Sequence, residues 1–220
     1  MRAAQRGRFI AFEGGEGAGK STQIARLAAR LAAAGEAVVV TREPGGTPGA
    51  EEIRSLFVQG ATGRWTVETD VLLVTAARAD HVARLIRPAL EAGKTVLCDR
   101  FVHSTLAYQG HGKGVALETL RQLHAFATGD LWPDIVLWLD APVELGLSRS
   151  TRRAALQDAQ APHEQRFEAL GRAYHERVRA GFAALAAMDP RMVRIDATEP
   201  QDAVEAAIAV AVPLLGPACA

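Results

Sequence analysis

The 220-residue sequence predicts an α/β protein: a five-stranded parallel sheet covered by helices on both faces. Three observations carry this. Five short apolar runs lack polar alternation, as expected of strands buried on both faces. Stretches of helical periodicity separate them. Right-handed crossovers between such units place the carboxyl ends of all five strands at one edge, where open sheets bind ligands.

In order, Arg8 to Phe12 (RFIAF) is a buried strand that stops at a glycine cluster. Lys20 to Ala34 carries Ile24, Leu27 and Leu31 at helical spacing and closes on Gly35, a suitable C-terminal stop. Ala37 to Thr41 (AVVVT) is the second strand, Thr95 to Asp99 (TVLCD) the third, Ile135 to Asp140 (IVLWLD) the fourth and Met192 to Asp196 (MVRID) the fifth. Helical patterns cover 48–59, 66–91, 115–128, 142–153, 164–187 and 199–212. The last opens on Thr198-Glu-Pro-Gln201, where Thr198 can cap and Gln201 can bond back. Ala154 to Pro162 reads as a flexible insert between two arginine-bearing helices. With no repeat or linker, one domain spanning 1–220 is expected. The strand ends deliver Glu13, Arg42-Glu43, Asp99-Arg100, Asp140 and Asp196 to the binding edge.

Composition narrows the classes of function. Hydrophobic residues are 49% and charged residues 23%, which excludes wholesale disorder. Lys and Arg number 25 and Asp and Glu also 25, so bulk charge holds this chain to neither nucleic acid nor anionic lipid. Cys98 and Cys219 cannot build a disulfide framework, and a reducing compartment is the simple expectation. No signal peptide follows from the basic start. The apolar stretch Ala203 to Ala220 is interrupted by Glu205, Pro213 and Pro217, so an amphipathic helix explains it better than a membrane span. A cytoplasmic protein is expected.

Gly14-Gly15-Glu16-Gly17-Ala18-Gly19-Lys20-Ser21 fits G-x-x-x-x-G-K-[ST] between a strand and a helix. The glycines let successive N–H groups face phosphate oxygens, the helix N-terminus adds positive charge, Lys20 reaches the β and γ phosphates, and the Ser21 hydroxyl holds Mg²⁺. The motif implies a nucleoside triphosphate with magnesium. It leaves the acceptor open.

The rest of the chain narrows the acceptor. Phe12-Glu13-Gly14 through Ser21-Thr22, Thr41-Arg-Glu-Pro-Gly-Gly-Thr47, Ala76-Ala-Arg78, Asp99-Arg100, Ser104-Thr105 and Ala107-Tyr-Gln-Gly110 together resemble the thymidylate kinases, in family order over nearly the whole chain. The resemblance implies the nucleoside monophosphate kinase fold with a mobile lid at about 149–166, transfer of phosphate from ATP to dTMP with Mg²⁺, a place in dTTP synthesis, and a homodimer. Another nucleoside monophosphate or deoxynucleoside kinase is the alternative, and an ATP-driven switch a distant one. A switch would leave Arg78, Tyr108 and the lid arginines unexplained.

Residue types support the acceptor site. Arg42 and Arg100 stand at strand ends on the binding edge, where guanidinium groups can grip the acceptor phosphate, as the resemblance implies. An Arg paired with its neighbour, Glu43 or Asp99, is the plain alternative. Asp99 can hold a magnesium-bound water or order Arg100. Glu16 is an odd carboxylate in a phosphate loop, and the resemblance gives it the acceptor's 3′-hydroxyl and a place near the metal. Arg78, a donor-only group in an apolar stretch, can bond a pyrimidine carbonyl and would oppose the amino group of cytosine. In line with the family, Ser104 and Thr105 complement the N3 edge of thymine. The resemblance implies that Tyr108 lies against the deoxyribose, with Gln109 supporting that wall. Val74 stands where many members stack a phenylalanine on the base. Position 18 is Ala, so the loop lacks a second cation. The resemblance then passes the catalytic cation to the lid: Arg153 first, then Arg149 and Arg166, with Arg152 last. Gln165 replaces the family's Asp before Arg166, and the resemblance implies that Thr198 and its neighbours approach the donor base.

Overall fold

A computed structural model describes residues 6–61, 63–156 and 170–214, with the backbone alone for 153–156. Its centre is one parallel sheet in the order β2-β3-β1-β4-β5: β1 (Phe9–Glu13), β2 (Val38–Arg42), β3 (Thr95–Asp99), β4 (Ile135–Asp140) and β5 (Met192–Asp196). All five run within a residue of the apolar stretches that predict them.

The alternation of β1 divides the core in two. Phe9 and Ala11 face one side with Val96, Cys98, Val136 and Trp138. Ile10 and Phe12 face the other with Leu97, Leu137 and Leu139. The second side is closed by α1 (Lys20–Ala33) and, near the C-terminus, α9 (Gln201–Ala211), through Ile24, Leu27, Leu31, Val204 and Ile208. Helices α2 (Pro48–Val58), α3 (Val67–His81), α6 (Leu117–Thr128) and α8 (Arg172–Met188) close the first. Each fully buried Phe or Leu contributes about 1.5–3 kcal/mol. A central strand apolar on both faces therefore anchors the whole sheet. The edge strands differ: Val40 of β2 is 54% exposed, and β5 exposes Val193, Arg194 and Asp196. An apolar run does not reveal which strands lie at the edge.

Two segments depart from expectation. The pattern over 66–91 is three pieces, α3, a π-helical turn at Val82–Ile86, and α4 (Arg87–Glu91). Pro88 lies in the first turn of α4, and its missing N–H and ring bulk explain why the ladder widens just before it. Residues 100–114, without strong periodicity, form α5 (Val102–Thr105) and a second π-helical segment, Leu106–His111. Helix α7 (Val143–Leu156) runs into the expected insert, whose remainder lies outside the described residues.

The Thr198 cap is corrected. Pro200 occupies the cap position of α9 without a side-chain bond, and the Thr198 hydroxyl donates to Asp196 Oδ1 at 2.6 Å. The strand-end carboxylate captures the hydroxyl. Gln201 Oε1 likewise accepts from Arg26 rather than bonding back.

Candidate active site

The phosphate loop joins β1 to α1. Gly19 at the cap of α1 has φ 90°, and no side chain caps the helix, so its first N–H groups face the cleft. That arrangement receives anions. Lys20 is buried, with Nζ 3.0 Å from the Gly15 carbonyl and 3.3 Å from that of Gly14. Ser21 Oγ lies 3.3 Å from Asp99 Oδ2, while Asp99 Oδ1 is buried with no hydrogen-bond partner among the described residues. A hydroxyl beside an unsatisfied carboxylate oxygen suits Mg²⁺, which takes one or two protein groups and completes its shell with phosphate and water. Among the described residues no cluster of three or more His, Cys, Asp or Glu offers an all-protein metal cage.

Arg100 follows β3 with φ 68°, an uncommon conformation for a residue with a side chain. Its N–H donates to the Phe12 carbonyl at 2.8 Å, tying the turn to β1. The guanidinium spans the site: Nη1 donates to the Gly14 carbonyl at 2.9 Å, and Nη2 to Glu16 Oε1 at 2.9 Å. The plain alternative, a pairing with Asp99, is not what forms: the carboxylate partner is Glu16. Tyr108 donates its hydroxyl to the same Glu16 oxygen at 3.0 Å, and Arg100 lies over the Tyr108 ring. Burial pushes the Glu16 carboxyl up, but Arg100 and Lys20 outweigh it and hold the group at about 2. Glu16 is thus a fixed anion between the phosphate loop and Arg100.

Glu13, fully buried at the end of β1, accepts from the N–H groups of Phe101 and Ser104 and from the Ser104 hydroxyl at 2.5 Å. Burial raises its pKa, with His103 and Ser104 opposing. The Ser104 hydroxyl proton is therefore given to Glu13, and this side chain holds the turn after β3.

Beside this lies a cleft walled by Phe57, Val58, Val74 and Phe101, with Arg78, Thr105, Tyr108 and Gln109 among its polar lining. Arg78 is 2% exposed. Its Nε donates to Glu43 Oε2 at 2.7 Å and its Nη2 to Thr105 Oγ1 at 2.8 Å, over the Phe101 ring. Thr105, accepting from Arg78, keeps its own hydrogen to donate. Val74 stands in the wall as expected. The rings are those of Phe57 and Phe101, which the motif comparison did not single out.

The cleft opens on a polar groove lined by Gly17, Ala18, Gly19, Lys20, Ser21, Thr22, Arg42, Arg54, Asp99 and Arg100, and the two share Glu16, Glu43 and Arg100. Arg42 is half-exposed and paired at 3.1 Å with Glu51, not with its neighbour Glu43. Glu43 is buried against Arg78 and His81. Arg54, missed in the sequence, donates to the Pro44 carbonyl at 2.7 Å; its place on α2 is visible only once the helix is folded over the groove.

Helix α7 backs the loop. A Cβ on Gly146 would sit 2.4 Å from the Glu16 carbonyl oxygen, so helix and loop meet backbone to backbone. Arg149 donates to the Ala197 carbonyl at 2.9 Å, beside Thr198. Arg152 is exposed. The side chain of Arg153 and all of Gln165 and Arg166 lie outside the described residues. Asp140 is bound by Arg179 and Arg194 and serves as an anchor for β4.

Comparison with known proteins agrees with this geometry. The sequence model described as thymidylate kinase matches residues 12–208. The chain is 53% identical over 203 residues to the thymidylate kinase of Caulobacter vibrioides, covering 92% of this chain and 94% of that one. To that of Thermomicrobium roseum it is 55% identical over 201 residues, 91% of each. The crystal structure of thymidylate kinase from Ehrlichia chaffeensis superposes with a TM-score of 0.73 at 29% identity, covering 92% of this chain and 97% of that one. A phosphate loop continuous with an apolar cleft, in a chain alike over nearly its whole length, settles the matter: this chain belongs to the thymidylate kinase family.

Proposed function

We propose that this chain transfers the γ-phosphoryl group of ATP to dTMP, yielding ADP and dTDP for dTTP synthesis. One observation carries the reading: the phosphate groove and the apolar cleft are continuous and meet at Glu16 and Arg100. A nucleotide lying across that junction puts its base against Val74, Phe57 and Phe101 and its phosphate against Arg100. Donor phosphates in the loop then face it.

Phosphoryl transfer is mostly positioning and charge screening. Lys20 and the N–H groups of Gly15 to Thr22 hold the donor, and Ser21 with Asp99 holds Mg²⁺. Bound there with ATP, the metal supplies screening of phosphate charge. Arg100 and Arg42 grip the acceptor phosphate, for which Arg42 leaves the exposed Glu51. Glu16 receives the sugar 3′-hydroxyl. Arg78 donates to the carbonyl that distinguishes thymine from cytosine, Thr105 and Ser104 meet the N3 edge, and Tyr108 with Gln109 limits the room at the sugar. Ser104, having given its proton to Glu13, can contribute there only as an acceptor. The lid spans about 149–166 within one domain of 1–220. Arg153 supplies the transition-state cation with Arg166, while Arg149 steadies the donor-base loop.

The homodimer is proposed on Leu72 of α3 and Phe126 of α6, exposed apolar side chains on two helices packed together. No helix among the described residues is long and apolar enough to cross a membrane. A cytoplasmic setting fits the buried free thiol of Cys98.

Coupled ADP release with Mg-ATP, comparing dTMP, dUMP, UMP, dCMP, dGMP and thymidine, tests the reading. Strong preference for dTMP is expected. Release independent of any acceptor would refute it.

A further inference from the structure

Arg78 belongs to a buried chain of side chains that begins 37 positions earlier in sequence, on β2, and ends at Thr105. Thr41 Oγ1 lies 2.7 Å from His81 Nε2, and His81 Nδ1 lies 3.0 Å from Glu43 Oε1. Glu43 Oε2 accepts from Arg78 Nε at 2.7 Å, and Arg78 Nη2 donates to Thr105 Oγ1 at 2.8 Å. All five side chains are buried, His81 completely. Burial alone would raise the Glu43 carboxyl, but Arg78 and His81 reverse the shift and hold it ionised. A carboxylate only accepts, so His81 Nδ1 carries a hydrogen, and each carboxylate oxygen has its own donor.

We propose that His81 is a positioning residue for base recognition: by occupying Glu43 Oε1 it confines Glu43 to a single-point grip on Arg78 Nε, which leaves Nη2 for Thr105 and fixes the guanidinium against the base. This rests on the reading of Arg78 as the group that meets the base. Without His81, a buried carboxylate oxygen is left bare, which is costly. The carboxylate then gains by turning to take Arg78 through both Nε and Nη2, the two-point geometry that guanidinium and carboxylate favour. That turn draws Nη2 from Thr105 and rotates the edge presented to the cleft. Gly46 shows how closely the chain is fitted: a Cβ there, at φ +89°, would lie 2.4 Å from Thr41 Oγ1 and 2.5 Å from His81 Nε2.

The test is steady-state kinetics of intact protein with dTMP and dCMP. His81→Phe is expected to raise the KM for dTMP about tenfold and lower the dTMP-over-dCMP ratio of kcat/KM by about as much, the loss of one buried hydrogen bond to a charge. Its kcat at saturating dTMP and its KM for ATP stay within about twofold. His81→Asn, which keeps an N–H near the Nδ1 position, recovers most of the preference. Thr41→Val gives a smaller change in the same direction, about two- to threefold. Arg78→Met separates the two readings. If it abolishes the preference while His81→Phe and Thr41→Val leave it intact, the positioning role falls. If Arg78→Met itself leaves the preference intact, the base-reading role of Arg78 falls first. Should His81→Phe fail to fold, His81→Leu, which also removes the donor to Glu43, and Thr41→Val decide. A lower melting temperature with unchanged preference in these two would mark His81 as packing alone and overturn the proposal.

Discussion

Gly146→Ala sets local propensity against tertiary contact. Gly146 lies in the first turns of α7, where alanine is ordinarily favoured over glycine by about 1 kcal/mol. On propensity alone the substitution stabilises the protein. The structure reverses the sign. The new Cβ would sit 2.4 Å from the Glu16 carbonyl oxygen, ordinary contact begins near 3.4 Å, and backbone lies on both sides of the approach. No side chain can swing away, so α7 and the loop must part by about 1 Å, at an overpacking cost of about 1–3 kcal/mol. The net effect is a loss of up to about 2 kcal/mol, read by urea unfolding. Activity should suffer more, because the displaced residue is the one whose carboxylate holds Arg100. A misplacement of about 1 Å in such a site can cost about a hundredfold in kcat/KM. Gly171→Ser, at the cap of α8 with open space around it, is the control and should be neutral or slightly stabilising. A Gly146→Ala protein stabilised by about 1 kcal/mol with unchanged kinetics would show that α7 stands clear of the loop.

Glu16→Gln should flatten the acid limb of stability. The carboxyl falls from 4.5 unfolded to about 2 folded, so its contribution of about 3 kcal/mol is complete above pH 4.5 and is lost as pH drops toward 2. Urea midpoints from pH 6 to 3 should decline less steeply in the variant, and parallel declines would refute the assignment. Phe182→Ala should cost about 3–5 kcal/mol, since Phe182 is fully buried, stacked on Trp138 and edge-on to Tyr108. A urea-derived loss below about 1 kcal/mol would contradict that packing. Leu72→Glu with Phe126→Glu should halve the mass measured by light scattering, and an unchanged mass would remove α3 and α6 from the dimer surface.

The strands were legible because burial on both faces demands unbroken apolar runs, and β3, β4 and β5 fall on the predicted residues. The phosphate loop was legible because its chemistry is local: consecutive N–H groups, one Lys and one hydroxyl on a strand–loop–helix. Arg42 and Arg100 were legible as cations at the strand ends, and Arg78 as a donor-only group in an apolar helical stretch. Their partners were not. Glu51 rather than Glu43 meets Arg42, Glu16 rather than Asp99 meets Arg100, and Glu43 was free to serve Arg78. Neighbours along a strand point to opposite faces, so adjacent charges in sequence need not meet. The 100–114 segment was opaque because π-helical turns break the 3.6-residue period that reveals helices.

By itself the sequence determined the order of elements, the sheet edge that carries the candidate site and the loop proposed to take the donor phosphates. All three follow from periodicities and motifs spanning a few residues. Only the tertiary structure decided which carboxylate each arginine meets, that Phe57 and Phe101 supply rings beside Val74, and that His81 on α3 reaches Glu43 beyond β2. Those contacts join residues far apart in the chain, where burial strips water from charged groups and leaves each the partner that folding brings within hydrogen-bond reach.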